Sequence, residues 1–315
     1  MVLILRKSLE TQGIQAILLY IKYYITKIRK SQYIMRENIR KIVIILKFFH
    51  KKPRQSLTSY SEEGIIRSMK LYEHNRQFLV TNYDIDFKDE CKVSTVLSYL
   101  QEAANSSAEE LGFGYSNLKT TQCTFMVTNL CCEFKNPIPL GETIRVKTWP
   151  TPPSFVIFGR EYQIFSQSDE LLMNASARWC LFDIKEQRIL PSKTIENQDY
   201  STYNTTKALE NVKWKIPAFK PEEGELKFSI KIANSEYDHN MHVNNARYAD
   251  YSFNCFSVAE LASKKLKSFM ISYVKQCKEG ETLRYYRKET EDGGYLVHGF
   301  NDAEQVVTQA LIYFA

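Results

Sequence analysis

Long hydrophobic runs are missing from this 315-residue sequence. The longest uncharged apolar stretch is too short to cross a bilayer, so no integral membrane span is expected. Glycine and proline are scarce, eleven and nine, against twenty Tyr and eighteen Phe. That balance argues against disorder and for strands with aromatic packing. The seven cysteines, Cys91, Cys123, Cys131, Cys132, Cys180, Cys255 and Cys277, are odd in number and include no C-x-x-C pair. They read as buried thiols in a reducing compartment, and a cytoplasmic location is expected. His and Cys never fall at ligand spacing, so no metal site is expected. There is no G-x-S-x-G elbow and no P-loop, and Gly112-Phe-Gly114 continues to Asn117 where a dinucleotide fingerprint needs glycine. No cofactor is expected.

A net basic charge is also missing from most of the chain, despite an overall +6. Residues 1–70 hold fifteen Lys and Arg against four Asp and Glu, so the remainder is mildly acidic. A nucleic-acid-binding body would carry its basic residues on the folded domain, so nucleic acid is not an expected partner. The first 68 residues stand apart, with Ile, Leu, Lys, Arg and Tyr dominant, as in Ile42-Val-Ile-Ile-Leu-Lys-Phe-Phe49. Basic residues interrupt the apolar segments through Lys52, which does not fit a secretory signal. Two readings stay open: a basic membrane-surface helix, or an appended region ahead of a start at Met69. The second is favoured, and either way residues 1–68 are expected to lie outside the fold.

An internal repeat organises the chain beyond Met69. Leu140-Gly-Glu-Thr-Ile-Arg-Val146 and Glu279-Gly-Glu-Thr-Leu-Arg-Tyr285 share G-E-T-[IL]-R at an offset of 139 residues. Upstream of each lies a segment with apolar residues near the helical period, Thr95–Leu111 and Ala246–Leu261. Strand patterns come after them at Ser154–Phe165, Leu171–Asp183, Tyr295–Asn301 and Gln305–Phe314. One long helix and then a run of antiparallel strands, twice over, is an α+β arrangement of two tandem hotdog units, each a helix wrapped by a sheet. The units are expected at 69–205 and 206–315, with the boundary among the polar turn residues between Ser201 and Pro217.

The chemistry concentrates in Glu236-Tyr-Asp-His-Asn-Met-His-Val-Asn-Asn-Ala-Arg-Tyr248, just ahead of the second helix. Asn244 or Asn245 fits a helix cap or turn. The alternating Asp238, Asn240 and His242 do not, and in an extended segment they would share one face. An imidazole and an amide there could activate water and stabilise an oxyanion.

D-x-N-x-H-V-N-N-x-x-Y, as Asp238 through Tyr248, resembles the signature of acyl-acyl carrier protein thioesterases, the plant plastid and bacterial enzymes that release free fatty acids. The likeness extends to Leu97-Ser-Tyr-Leu-Gln-Glu-Ala-Ala104, Gly141-Glu-Thr-Ile-Arg-Val-Lys-Thr-Trp149 and Ala175-Ser-Ala-Arg-Trp179, and covers residue 73 to the end. The resemblance implies a double hotdog with an acyl tail between helix and sheet, and hydrolysis of fatty acyl thioesters of acyl carrier protein in fatty acid biosynthesis. It implies that Asn240 and His242 act on the carbonyl and the attacking water, while Asp238 fixes Asn240. The family's Glu-Cys pair on a later strand falls here on Gln276-Cys277. An amide cannot act as a general base, so a non-catalytic binding module stays open, as do an acyl-CoA thioesterase and a hotdog dehydratase. Cys277 as nucleophile and a water activated by Asn240 and His242 also stay open, the water route slightly ahead.

Aligning Val93 with Val243 sets Glu90 opposite Asn240 and Lys92 opposite His242, and the 139-residue offset sets Pro137 and Ile138 opposite Gln276 and Cys277. The first copy thus lacks the polar set and is assigned to the acyl pocket, with Trp149 and Trp179 as core residues. Lys275, Lys278, Arg284, Arg287 and Lys288 form a possible basic rim for an acidic, acyl-loaded carrier protein. The chain is expected to be a monomer or a homodimer.

Overall fold

The structure, a computed structural model, describes residues 71–118, 121–195, 200–238 and 240–315. The appended segment expected over residues 1–68 lies outside them. Residues Leu71–Thr194 and Tyr203–Ala315 form one compact unit.

That unit is a duplicated motif. In chain order the first half has β1 (His74–Leu79), α1 (Val93–Glu110), the short α2 (Tyr115–Leu118), β2 (Cys123–Phe134), β3 (Thr143–Pro150), β4 (Phe158–Phe165), β5 (Leu171–Asp183) and β6 (Arg188–Leu190). The second has β7 (Glu225–Lys231), α3 (Arg247–Phe253), α4 (Val258–Ala262), β8 (Leu266–Tyr273), β9 (Thr282–Glu289), β10 (Tyr295–Phe300) and β11 (Val306–Phe314). All eleven strands join one sheet in the order β1-β3-β4-β5-β2-β8-β11-β10-β9-β7, with β6 on β5. Read inward from its two ends, the order is the same: first strand, third, fourth, fifth, second. The halves meet where β2 and β8 pair antiparallel, from Asn129 opposite Ser272 to Glu133 opposite Ser268.

The G-E-T-[IL]-R repeat has a structural cause. Gly141 donates its N–H to the Val80 carbonyl at 3.0 Å, and Val80 donates back to Glu142 at 2.9 Å; Gly280, Ile232 and Glu281 make the same exchange at 2.9 Å each way. Both glycines sit at positive φ, 79° and 85°, where a side chain would crowd its own backbone. The motif is therefore the corner that ties the start of β3, or β9, to the end of β1, or β7.

Helix α1 presents Val96, Leu97, Leu100, Ala103 and Ala104, all buried, at helical spacing toward the sheet. It ends where Gly112 turns left-handed and accepts the reversal. The single second helix expected over Ala246–Leu261 is instead broken in two. Ser257 accepts from the N–H of Glu260 at 3.1 Å, and the Glu260 carboxylate accepts from the N–H of Ser257 at 2.7 Å, a capping box that restarts the helix. The strand expected from Ser154 begins at Phe158, because Ser154 and Ile157 bond each other across a turn in which Phe155 has φ 54°.

The segment between the halves covers the far side of the sheet. Ile216 and Phe219 pack with Met270 and Leu296 there, and buried Glu161 anchors it by accepting from Lys207 Nζ and the Ala208 N–H, both at 3.0 Å.

Candidate active site

The signature segment is a tight loop, and the extended run expected there is corrected. Tyr237 bridges Val243 antiparallel, so the residues between them turn back on themselves. The Asp238 carboxylate accepts the backbone N–H of Asn240 at 2.8 Å and of His242 at 3.4 Å. The backbone closes the loop as Asp238 donates to the His242 carbonyl at 2.8 Å and Met241 donates to the Asp238 carbonyl at 3.1 Å. Met241 takes φ 60°. Asp238 thus spends its carboxylate on the backbone, in the manner of an Asx turn.

Asn240 is exposed and His242 half-buried, and neither side chain has a hydrogen-bond partner among the described residues. Asn244 accepts from the N–H of Ala246 at 2.9 Å, the turn expected for Asn244 or Asn245 but not a cap, since Ala246 itself takes the N-cap position of α3 with no side-chain cap bond.

The first half contains the same loop. Ile85 bridges Cys91; Asp86 accepts from the N–H of Lys88 at 2.8 Å and of Glu90 at 3.4 Å; Asp86 donates to the Glu90 carbonyl at 2.8 Å and Asp89 to the Asp86 carbonyl at 3.1 Å; Asp89 has φ 57°. The equivalences are therefore Asp86 with Asp238, Lys88 with Asn240 and Glu90 with His242. This moves the alignment by two residues from the one that set Glu90 opposite Asn240, and it shows that the first copy keeps the aspartate. Lys88 Nζ lies 2.9 Å from Glu90 Oε2, so in the first loop the side chains at the positions equivalent to Asn240 and His242 turn to the same side.

Gln276 and Cys277 lie in the irregular connection between β8 and β9, not on a strand, since β8 ends at Tyr273. Gln276 is exposed and Cys277 fully buried. The thiol pairs with the hydroxyl of Tyr248, from the first turn of α3, at 2.9 Å, and burial pushes its pKa up against the opposing pull of that bond. The 139-residue offset holds here. Lys135 and Asn136 donate to the Leu172 carbonyl as Val274 and Lys275 donate to that of Val307, and Ile138, the counterpart of Cys277, is 2% exposed. Glu279, the carboxylate that follows Gln276 by three residues, is exposed on the following turn.

A cavity with free space of about 20 Å³ lies beside this loop, between α1 and the sheet of the first half. Leu97 and Leu100 of α1, Val127 of β2, Tyr162 of β4 and Trp179 of β5 line it together with Asn245, three residues after His242. Tyr273 donates to the Asn245 carbonyl at 3.1 Å. Trp179, read from sequence as core, faces this cavity, whereas Trp149 is buried and bonds Thr206.

The basic rim does not stand as expected. Arg284 pairs with Asp302 at 3.1 Å, Arg287 with Glu260 at 2.8 Å and Lys288 with Glu223 at 3.1 Å. Arg287 is mostly buried, lies over the Phe256 ring and donates to the Cys255 carbonyl. Lys275 bonds Gln305. Three of the five cations are thus matched by carboxylates within the fold.

Among the described residues no helix is long and apolar enough to cross a membrane, and no cluster of His, Cys, Asp and Glu could hold a metal ion.

Residues 71–196 match the sequence model of the acyl-ACP thioesterase N-terminal domain, and residues 220–314 that of the C-terminal domain. The chloroplastic palmitoyl-acyl carrier protein thioesterase of Cuphea hookeriana is 19% identical over 254 residues, covering 78% of this chain and 61% of that protein. Its namesake in Arabidopsis thaliana is 22% identical over 246 residues, covering 74% and 59%. The chain thus spans about three fifths of the length of these relatives. Among solved structures, an acyl-ACP thioesterase from Bacteroides thetaiotaomicron superposes with a TM-score of 0.69 at 19% identity, over 81% of this chain and all of that one. The 12:0-ACP thioesterase from Umbellularia californica does so with a TM-score of 0.69 at 16% identity, over 77% and 97%. The tandem hotdog architecture is shared with both. With both domain models matched in order on this duplicated fold, the chain belongs to the acyl-ACP thioesterase family.

Proposed function

We propose that this chain hydrolyses fatty acyl thioesters of acyl carrier protein and releases free fatty acid. The observation that carries the reading is adjacency: the cavity between α1 and the first-half sheet includes Asn245, which follows directly from the loop bearing Asn240 and His242. An acyl chain seated in that seam would present its thioester to groups that are exposed or half-buried, without partners among the described residues, and open to water.

In this mechanism His242 takes a proton from the attacking water as its oxygen bonds the carbonyl carbon. The Asn240 amide donates to the oxyanion of the tetrahedral intermediate. Collapse breaks the C–S bond, and the proton passes to the departing pantetheine sulfur. Asp238 positions both groups through the loop backbone. Gln276 can orient a water but cannot deprotonate one; that substitution is what favours a second reading, a non-catalytic acyl-carrier binding module.

A thiol-release assay over acyl carrier protein and coenzyme A thioesters tests the reading, with His242→Ala and Asn240→Ala as controls. Turnover is expected, with kcat lowered roughly a hundredfold or more by each change. Binding of acyl carrier protein without turnover would select the module. Water addition to an enoyl thioester would select a dehydratase, and turnover confined to coenzyme A esters would move the carrier assignment.

A further inference from the structure

The cavity beside the signature loop is lined by Leu97, Leu100, Val127 and Leu130 together with the polar Gln101, Asn245 and Tyr273, and two further polar atoms in its wall have no partner. Tyr162 is fully buried, and its hydroxyl makes no hydrogen bond among the described residues; nor does the indole Nε1 of Trp179. Both side chains face the same space. Burial pushes the Tyr162 pKa up against the pull of Arg160 and of the nearby indole N–H, so the phenol keeps its proton, and the two side chains do not meet in hydrogen-bond geometry. Indole offers only a donor, and a phenol that found no acceptor keeps its proton unused. A buried polar group left unsatisfied is costly and rare in a folded protein. The amide oxygens of Gln101 and Asn245 in the same lining do not reach either donor, so two donors beside one another call for one acceptor: an oxygen brought by the ligand.

The position of that oxygen follows from the rest of the lining. Asn245 is three residues from His242 and belongs to the same cavity, so the donors sit toward the thioester end of a bound chain. The free space, about 20 Å³, is room for about one water molecule, the size of the single oxygen that the two donors call for.

Resting on the hydrolytic reading above, we propose that Tyr162 and Trp179 form a polar subsite that selects acyl groups carrying a hydroxy or oxo oxygen on the β carbon. A carbonyl oxygen accepts both donors through its two lone pairs, and a β-hydroxyl accepts one and satisfies the other in part. A saturated chain would leave both donors buried against methylene groups, the arrangement by which a site rejects an analogue lacking its oxygen.

The test compares kcat/KM for 3-oxoacyl, 3-hydroxyacyl and unsubstituted acyl thioesters of one chain length on acyl carrier protein, in the parent protein and in Tyr162→Phe and Trp179→Phe. The parent is expected to favour the oxygenated substrates by about tenfold or more, and each variant to bring that ratio toward unity. Equal rates or a preference for the saturated chain in the parent would overturn the proposal and leave water as the occupant; so would a ratio unmoved by either variant. Hydrolysis of none of the three would instead defeat the hydrolytic reading. Binding of the same three acyl-carrier proteins to His242→Ala separates the two failures, since the tighter binding of oxygenated chains is expected with or without turnover, and its absence refutes the subsite.

Discussion

The hydroxyl of Tyr248 and the Sγ of Cys277 form a 2.9 Å pair in the core, joining the start of α3 to the connection between β8 and β9. Burial raises the thiol's pKa, so at neutral pH it stays protonated, and a protonated thiol is a poor nucleophile. The first half makes the same point with a different residue, because Ile138 fills the equivalent buried position. Cys277→Ser is therefore expected to keep most of kcat, and iodoacetamide at pH 7.5 to leave Cys277 unlabelled in the native protein. An acyl group trapped on Cys277 in the mass spectrum, together with an inactive Cys277→Ser, would reverse this.

The twin loops at Asp86 and Asp238 separate building from chemistry. Each carboxylate holds two backbone N–H groups in matched geometry, so alanine at either position should lower stability by a similar amount, about 2 kcal/mol. Only Asp238→Ala should also lower turnover, since only that loop carries an amide and an imidazole. Urea midpoints measured alongside kcat check this. A loss of turnover as large in Asp86→Ala would mean that the first loop takes part in the reaction.

The G-E-T-[IL]-R repeat, the apolar face of α1 and the signature were legible because each is local: a glycine turn, a helical period, a short run of residues. What escaped depends on long-range assembly. Met241 reverses the signature loop from a left-handed conformation that its residue type does not announce. The partners that neutralise Arg284, Arg287 and Lys288 lie 18, 27 and 65 residues away. Tyr162 and Trp179 share a cavity only through the pairing of β4 and β5. One signal was available: Asp86-Phe-Lys-Asp-Glu90 stands 152 residues before Asp238-His-Asn-Met-His242, as Val80 stands before Ile232.

His298 makes the fold acid-sensitive. It is fully buried on β10 with its ring stacked 4.1 Å from that of Phe219, and loss of solvation depresses its pKa from 6.5 to about 4. Protonation therefore favours the unfolded chain: the contribution is complete above pH 6.5 and is lost as pH falls toward 4. Between pH 7.5 and pH 5 the loss comes to about 2 kcal/mol. Urea unfolding at the two pH values should show this difference, and His298→Leu should shrink it by a comparable amount whatever its effect on absolute stability. An unchanged pH dependence in the variant would place the acid sensitivity elsewhere.

Gln276 is the position where the chain departs from the pattern it otherwise resembles, and its surroundings decide what a carboxylate there would do. The residue is exposed beside buried Cys277, in a connection whose backbone is already held by bonds from Val274 and Lys275 to the Val307 carbonyl. An isosteric change to Glu adds an acceptor of protons without disturbing the core. If water is the nucleophile, Gln276→Glu should raise kcat about tenfold or more, because a positioned base adds to what His242 supplies. It should also add an acid limb to the kcat profile near the ordinary Glu pKa of about 4.3. Glu279→Gln, by contrast, should leave kcat within about twofold, since Glu279 lies exposed on the next turn with no partner among the described residues. A fall in kcat in Gln276→Glu would refute a carboxylate's help to the attacking water at this position, and a large fall in Glu279→Gln would show that Glu279 serves as a base of this reaction.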